Sequence, residues 1–107
     1  MNEQKLRGML GLAVRARQAQ LGTDACRLLV LSGVCGVLLL DAGTSPNTRA
    51  KCEEWCRRSD TPVVILPEGM IADATGRTNI TLGIRKGSFS EQVLAITGGK
   101  RKATSKD

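Results

Sequence analysis

Four cysteines, Cys26, Cys35, Cys52 and Cys56, are the side chains of this sequence best suited to metal or redox chemistry. No two of them form a C-x-x-C pair and the chain has no histidine, so a structural zinc site would have to recruit all four thiolates from scattered elements. The missing imidazole also removes the commonest general base, which excludes Ser-His-Asp hydrolysis and imidazole acid–base catalysis. In a reducing cytosol these thiols are expected to be reduced and mostly buried. No catalytic residue, metal site or cofactor is therefore expected, and the chain reads as a non-enzyme.

The second chemical resource is positive charge. Sixteen Lys and Arg oppose ten Asp and Glu, for a net charge of +6 and a pI near 9.6, which favours a polyanionic partner such as nucleic acid. Half of that excess is local: Lys100, Arg101, Lys102 and Lys106 against Asp107 place three of the six net charges in the last ten residues. This tail, residues 98–107, is expected to be disordered and to meet phosphate in a salt-sensitive, sequence-blind way.

The elements that must position these groups can be read from periodicity. Leu6, Met9, Leu10, Ala13 and Val14 follow a helical repeat and predict an amphipathic helix over residues 3–16, with Lys5, Arg15 and Arg17 left to solvent or RNA. Gly8 and Gly11 weaken that helix, and close packing on a neighbour is the expected compensation. A short strand at 18–21 leads to Gly22 and Thr23, read as a turn and an N-cap for a second helix to about Leu31, stopped by Gly33. The continuously apolar Val34–Asp41 reads as a central strand covered on both faces. Ser45 and Pro46 open a third helix to Arg58, with Cys52, Trp55 and Cys56 facing inward.

Past the Ser59–Pro62 break, Val63–Leu66 is a second buried strand, Met70–Ala74 a short helix closed near Gly76, and Ile80–Ile84 another strand. Ser88 and Glu91 read as a capping box for a last helix to about Thr97. Helices alternating with buried strands make one domain, residues 1–97, a three-layer α/β/α sandwich around a mixed four-stranded sheet. No run of about eighteen apolar residues is present, and the N-terminal segment mixes charge with apolar residues, so a cytoplasmic protein without membrane partners is expected. Trp55 and Phe89, the sole aromatics, fall on inward helix faces, leaving no stacking platform for single-stranded RNA.

The opening Leu10-Gly11-Leu12-Ala13, the Gly22 to Gly33 spacing, the strand ending at Asp41, the Ser45 to Thr48 helix start and Pro62-Val63 stand in a telling joint order. Over about residues 4 to 97 the chain resembles the kink-turn-binding ribosomal protein family, specifically its small bacterial YlxQ-like branch. The resemblance implies a monomeric, ribosome-associated protein that recognises structured, kink-turn-like RNA, ribosomal RNA among the expected targets. The implied site is one edge of the sandwich, made by the start of the second helix and two nearby loops. In kink-turn binders that helix start reads glycine, a small residue, asparagine, glutamate, and a lysine three positions later. Here the matching positions are Gly22, Thr23, Asp24, Ala25 and Leu28, and the first two agree.

The departures matter chemically. Sheared purine pairs present base edges and phosphates to helix N-terminal amides, to side chains that donate and accept, and to a cation. An ionised Asp24 accepts but cannot donate, and it repels phosphate; Ala25 and Leu28 remove a polar group and a charge. Arg27, Arg49 and the loop Arg77-Thr78-Asn79 are retained around the same edge, the last where the family contacts an extruded nucleotide. The expected RNA-binding set is Gly22, Thr23, Asp24, Arg27, Arg49, Arg77, Thr78 and Asn79. The alternative is a protein-interaction module of the same fold that has lost base-specific readout, with an exposed Leu28 as its mark.

Overall fold

Val37, Leu38, Leu39 and Leu40 are fully buried in succession, so their strand needs helices on both faces. The computed structural model describes residues 1–99 and supplies them. In chain order the elements are α1 (Glu3–Arg15), β1 (Ala19–Leu21), α2 (Thr23–Leu31), β2 (Cys35–Asp41), α3 (Pro46–Arg58), β3 (Val63–Leu66), α4 (Met70–Thr75), β4 (Thr81–Arg85) and α5 (Ser88–Thr97). The four strands lie in the order β1-β4-β2-β3, with β2 and β3 parallel and β4 antiparallel to both its neighbours. The mixed sheet and the three-layer sandwich are as the periodicity predicts. Of the expected basic tail, Lys100, Arg101, Lys102, Lys106 and Asp107 lie outside the described residues.

Two apolar cores flank the sheet. On one face Leu6, Leu10 and Ala13 of α1, Met70 and Ile71 of α4 and Val93 of α5 pack over Val37, Leu39, Leu82 and Ile84. On the other, Cys26, Leu29 and Val30 of α2 and Cys52 and Cys56 of α3 pack over Cys35, Leu38 and Leu40. Cys35 and Val37 are two residues apart yet face opposite cores, because β2 bulges at Gly36, where Cys35 pairs with Arg85 and Val37 with Ile84. A Cβ at Gly36 would stand 2.4 Å from Ser90 Oγ, so only glycine lets α5 close over the bulge.

Three local expectations are corrected. Thr23 is the first residue of α2 and not its cap; Gly22 holds the cap position at φ 100° and ψ 146°, and the Thr23 hydroxyl lies 3.3 Å from that of Thr81. Ser88 does not form a capping box with Glu91: Gly87 precedes the helix, and its amide donates to Ser90 Oγ at 3.1 Å. Close packing holds for Gly11, where a Cβ would approach the Ala74 carbonyl to 3.1 Å, but Gly8 has nothing within 4 Å. The Ser45 cap on α3 is present, accepting from the Thr48 amide at 3.3 Å.

Candidate functional site

One end of the sheet collects four chain reversals, because β2 and β3 finish there, β1 finishes there and β4 starts there. The main chain ties them together. The Gly22 amide donates to the Thr81 carbonyl at 3.0 Å, Asp41 N to Ile80 O at 2.9 Å and Ala42 N to Leu66 O at 2.9 Å. The Asp41 carboxylate, 6% exposed, accepts from Gly43 N at 2.6 Å and Gly69 N at 2.8 Å. The loop into α3 and the turn into α4 are thus anchored to one carboxylate.

The α4–β4 loop lies against the glycine turn. A Cβ on Gly22 would stand 3.6 Å from Asn79 Nδ2, which sets a side chain able both to donate and to accept beside the first turn of α2. Of the residues singled out from sequence, Gly22, Thr23, Asp24 and Asn79 are brought together here, with the exposed Arg77 and Thr78 in the same loop. Arg27 and Arg49 are engaged elsewhere. The Arg27 guanidinium stacks over the Trp55 ring, 6.0 Å from its centroid, across the α2–α3 cleft, and Arg49, in the first turn of α3, pairs with Glu53 at 3.1 Å.

Sequence reasoning left Arg15 and Arg17 out of the site. Arg77 and Arg17 line one shallow depression of ≈ 460 Å³ with Val14, Ala19, Gln20 and Leu21, along the open edge of β1. The guanidinium of Arg15 comes within 3.4 Å of the Cβ position at Gly11, the same point that faces the Ala74 carbonyl at the α4 terminus. None of the three arginines is in an ion pair among the described residues. Arg17 is also one of two non-glycine residues with positive φ, at 60°. Its amide donates to Val14 O at 3.0 Å and that of Gln18 to Ala13 O at 2.9 Å, the paired bonds of a Schellman helix end, whose left-handed position ordinarily takes glycine. The signal in the sequence was an arginine where the helix stop calls for glycine.

The rim is divided, not uniformly positive. Arg15, Arg17 and Arg77 occupy the side of α1 and β1, whereas the exposed carboxylates Asp24 and Glu68 lie at the start of α2 and in the β3–α4 turn. The α2 terminus itself favours a negative group, and Asp24 occupies it. Leu28, one turn on from Asp24, is 67% exposed.

The cysteines take no part in this edge. All four are buried, and burial pushes the thiol of Cys26 up to about 12, that of Cys35 up to about 11, and that of Cys52 upward. Such thiols are poor nucleophiles and poor metal ligands. Among the described residues no group of three or more His, Cys, Asp or Glu could hold a metal ion, and no helix is long and apolar enough to cross a membrane.

No protein-family model matches this sequence, and no curated protein does. Solved structures do. A Bacillus halodurans protein of unknown function superposes with a TM-score of 0.83 at 26% sequence identity, covering 88% of this chain and 97% of that one. The Giardia lamblia 15.5kD RNA binding protein superposes with a TM-score of 0.73 at 12% identity, covering 89% and 86%. At that identity the second likeness is one of fold.

Proposed function

We propose that this protein binds structured RNA through the edge formed by the Gly22 turn, the Arg77–Asn79 loop and the open side of β1. The observation that carries the reading is the seating of the Asn79 amide 3.6 Å from where a Cβ on Gly22 would stand, with Arg17 and Arg77 over one adjoining depression. Backbone amides at the α2 start and one amide side chain supply base-edge contacts, and the arginines supply phosphate contacts. The Giardia protein of the same fold, named for RNA binding, supports the choice of partner. The finer reading is a monomeric, cytoplasmic member of the kink-turn-binding superfamily, in its YlxQ-like branch, acting on kink-turn-like RNA at the ribosome and catalysing nothing. In that reading residues 1–97 form the RNA-binding domain and 98–107 a basic tail.

The test is a titration of the full chain against a kink-turn hairpin and a plain duplex of equal length at two salt concentrations. Preference for the hairpin, and a salt slope reduced by roughly two in an Arg17→Glu/Arg77→Glu variant, is the expected result. Equal affinity for both RNAs, or an unaffected variant, overturns it.

A second reading, a protein-interaction module, is favoured by one observation: Leu28 stands 67% exposed where kink-turn binders place a cation.

A further inference from the structure

We infer that the outer face of the α2–α3 pair is a docking surface for an acidic amphipathic helix of a partner protein. This deepens the protein-binding reading of Leu28 and does not depend on RNA recognition at the Gly22 edge.

The buried residues Cys26, Leu29 and Val30 define the inward side of α2. Leu28 and Leu31, three apart, therefore share the outer side, at 67% and 39% exposure. On α3, Trp55 flanks the buried Cys52 and Cys56, and Arg27 over its ring shows that this flank faces α2. Lys51 and Arg58 stand one turn before and one turn after Trp55, on the same flank, and both are exposed.

On α3 Arg49 is paired with Glu53, and Arg57 with Glu54, which stands one turn after Lys51 and one turn before Arg58. On the flank towards α2, Lys51, Arg58 and Arg27 are in no ion pair among the described residues. The face thus combines two exposed leucines with three cations in no ion pair among the described residues; of the acids beside it, Asp24 lies one turn before Leu28 at the end towards the RNA edge, and Glu54, between Lys51 and Arg58, is taken up by Arg57.

That combination selects the occupant. Phosphate would use the cations but not the leucines, and Arg27 already covers the Trp55 ring that a base would need. A second copy of this chain would bring the same cations against themselves. A helix with apolar residues at i, i+3, i+4 and i+7 flanked by Glu or Asp satisfies both parts of the face.

The probe is a labelled acidic peptide of about twenty residues with that apolar stripe, long enough to hold a helix. Its controls are a scrambled peptide of the same composition and a version with every Glu replaced by Lys. Full-length protein should bind the acidic striped peptide at least about tenfold more tightly than either control. Leu28→Glu/Leu31→Glu should lose about tenfold, and Lys51→Glu/Arg58→Glu should lose as much and flatten the salt dependence. Both variants should keep the wild-type circular dichroism, and Lys51→Glu/Arg58→Glu, which lies away from the Gly22 edge, should also keep the wild-type affinity for the kink-turn hairpin. Equal binding of the scrambled peptide, absence of binding, or insensitivity to the substitutions overturns the inference. So does competition by RNA, which would make the face a nucleic-acid surface, or a concentration-dependent dimer abolished by Leu28→Glu, which would assign it to a second copy. A protein that binds the peptide but no RNA would overturn the RNA proposal alone.

Discussion

Asp41 and Gly69 are joined across 28 positions of sequence by a 2.8 Å hydrogen bond in which the Gly69 amide donates to Oδ2. The other oxygen accepts from Gly43 at 2.6 Å, so a single carboxylate at the end of β2 sets the β2–α3 loop and the turn into α4. Asp41→Ala leaves two amides without their charged acceptor and should lower stability by about 2–4 kcal/mol in a urea titration. Asp41→Asn, which keeps one acceptor and presents a donor to the other amide, should fall in between. Unchanged hydrogen-exchange protection at Gly69 in Asp41→Ala would refute this role.

Arg17 occupies the left-handed position of the helix end after α1, at φ 60°. Glycine there removes steric strain, so Arg17→Gly should stabilise the fold by about 0.5–1 kcal/mol while weakening RNA binding by removing a phosphate contact. Opposite movement of stability and affinity is what strain retained for function requires. A variant that is more stable and binds RNA as before would leave Arg17 without a binding role.

The α2 start differs from the kink-turn pattern at Asp24, Ala25 and Leu28, and the exposed ends of Asp24 and Leu28 can accept substitution. Asp24→Asn/Ala25→Glu/Leu28→Lys should raise affinity for a standard kink-turn by roughly tenfold or more, the equivalent of about 1.4 kcal/mol. No gain in a gel-shift titration would mean that the backbone around Gly22 is not shaped for sheared purine pairs.

The thiols of Cys26 and Cys35 ionise near pH 12 and pH 11 when folded, against an ordinary 9.0, because burial opposes the thiolate. Below about pH 9 folded and unfolded chains both keep these protons and the contribution is complete. As pH rises further the unfolded chain releases them first, so stability should fall between about pH 9 and 12, by up to about 1.4 kcal/mol per pH unit for each thiol. Cys26→Ala/Cys35→Ala should flatten that decline in denaturant melts, and native protein should resist iodoacetamide at neutral pH. Fast labelling of the native thiols would contradict their burial.

The second half of the sheet shows why element type was legible and local detail was not. Val63–Leu66 and the apolar stretch ending at Asp41 could only be covered strands, since each is short, β-branched or leucine-rich, and bounded by turn residues. The Gly36 bulge was hidden, because a glycine in an apolar run looks the same whether it pairs regularly or makes room for a distant Ser90. The caps were misplaced for a similar reason: Thr23 and Ser88 are good capping residues by type, but Gly22 and Gly87 adopt positive φ that no neighbouring residue announces.

By itself the sequence determined what the periodic burial of apolar side chains controls, a mixed α/β sandwich with buried cysteines, and what composition controls, an excess of positive charge. Those properties depend on residues within a few positions of one another. Which arginines lie near one another was decided by tertiary structure alone. Arg27 was drawn to Trp55 and Arg49 to Glu53, while Arg17 met Arg77 across the β1 edge, some 60 positions apart. Charges act through space, and spacing along a chain does not reveal which faces the sheet turns towards each other.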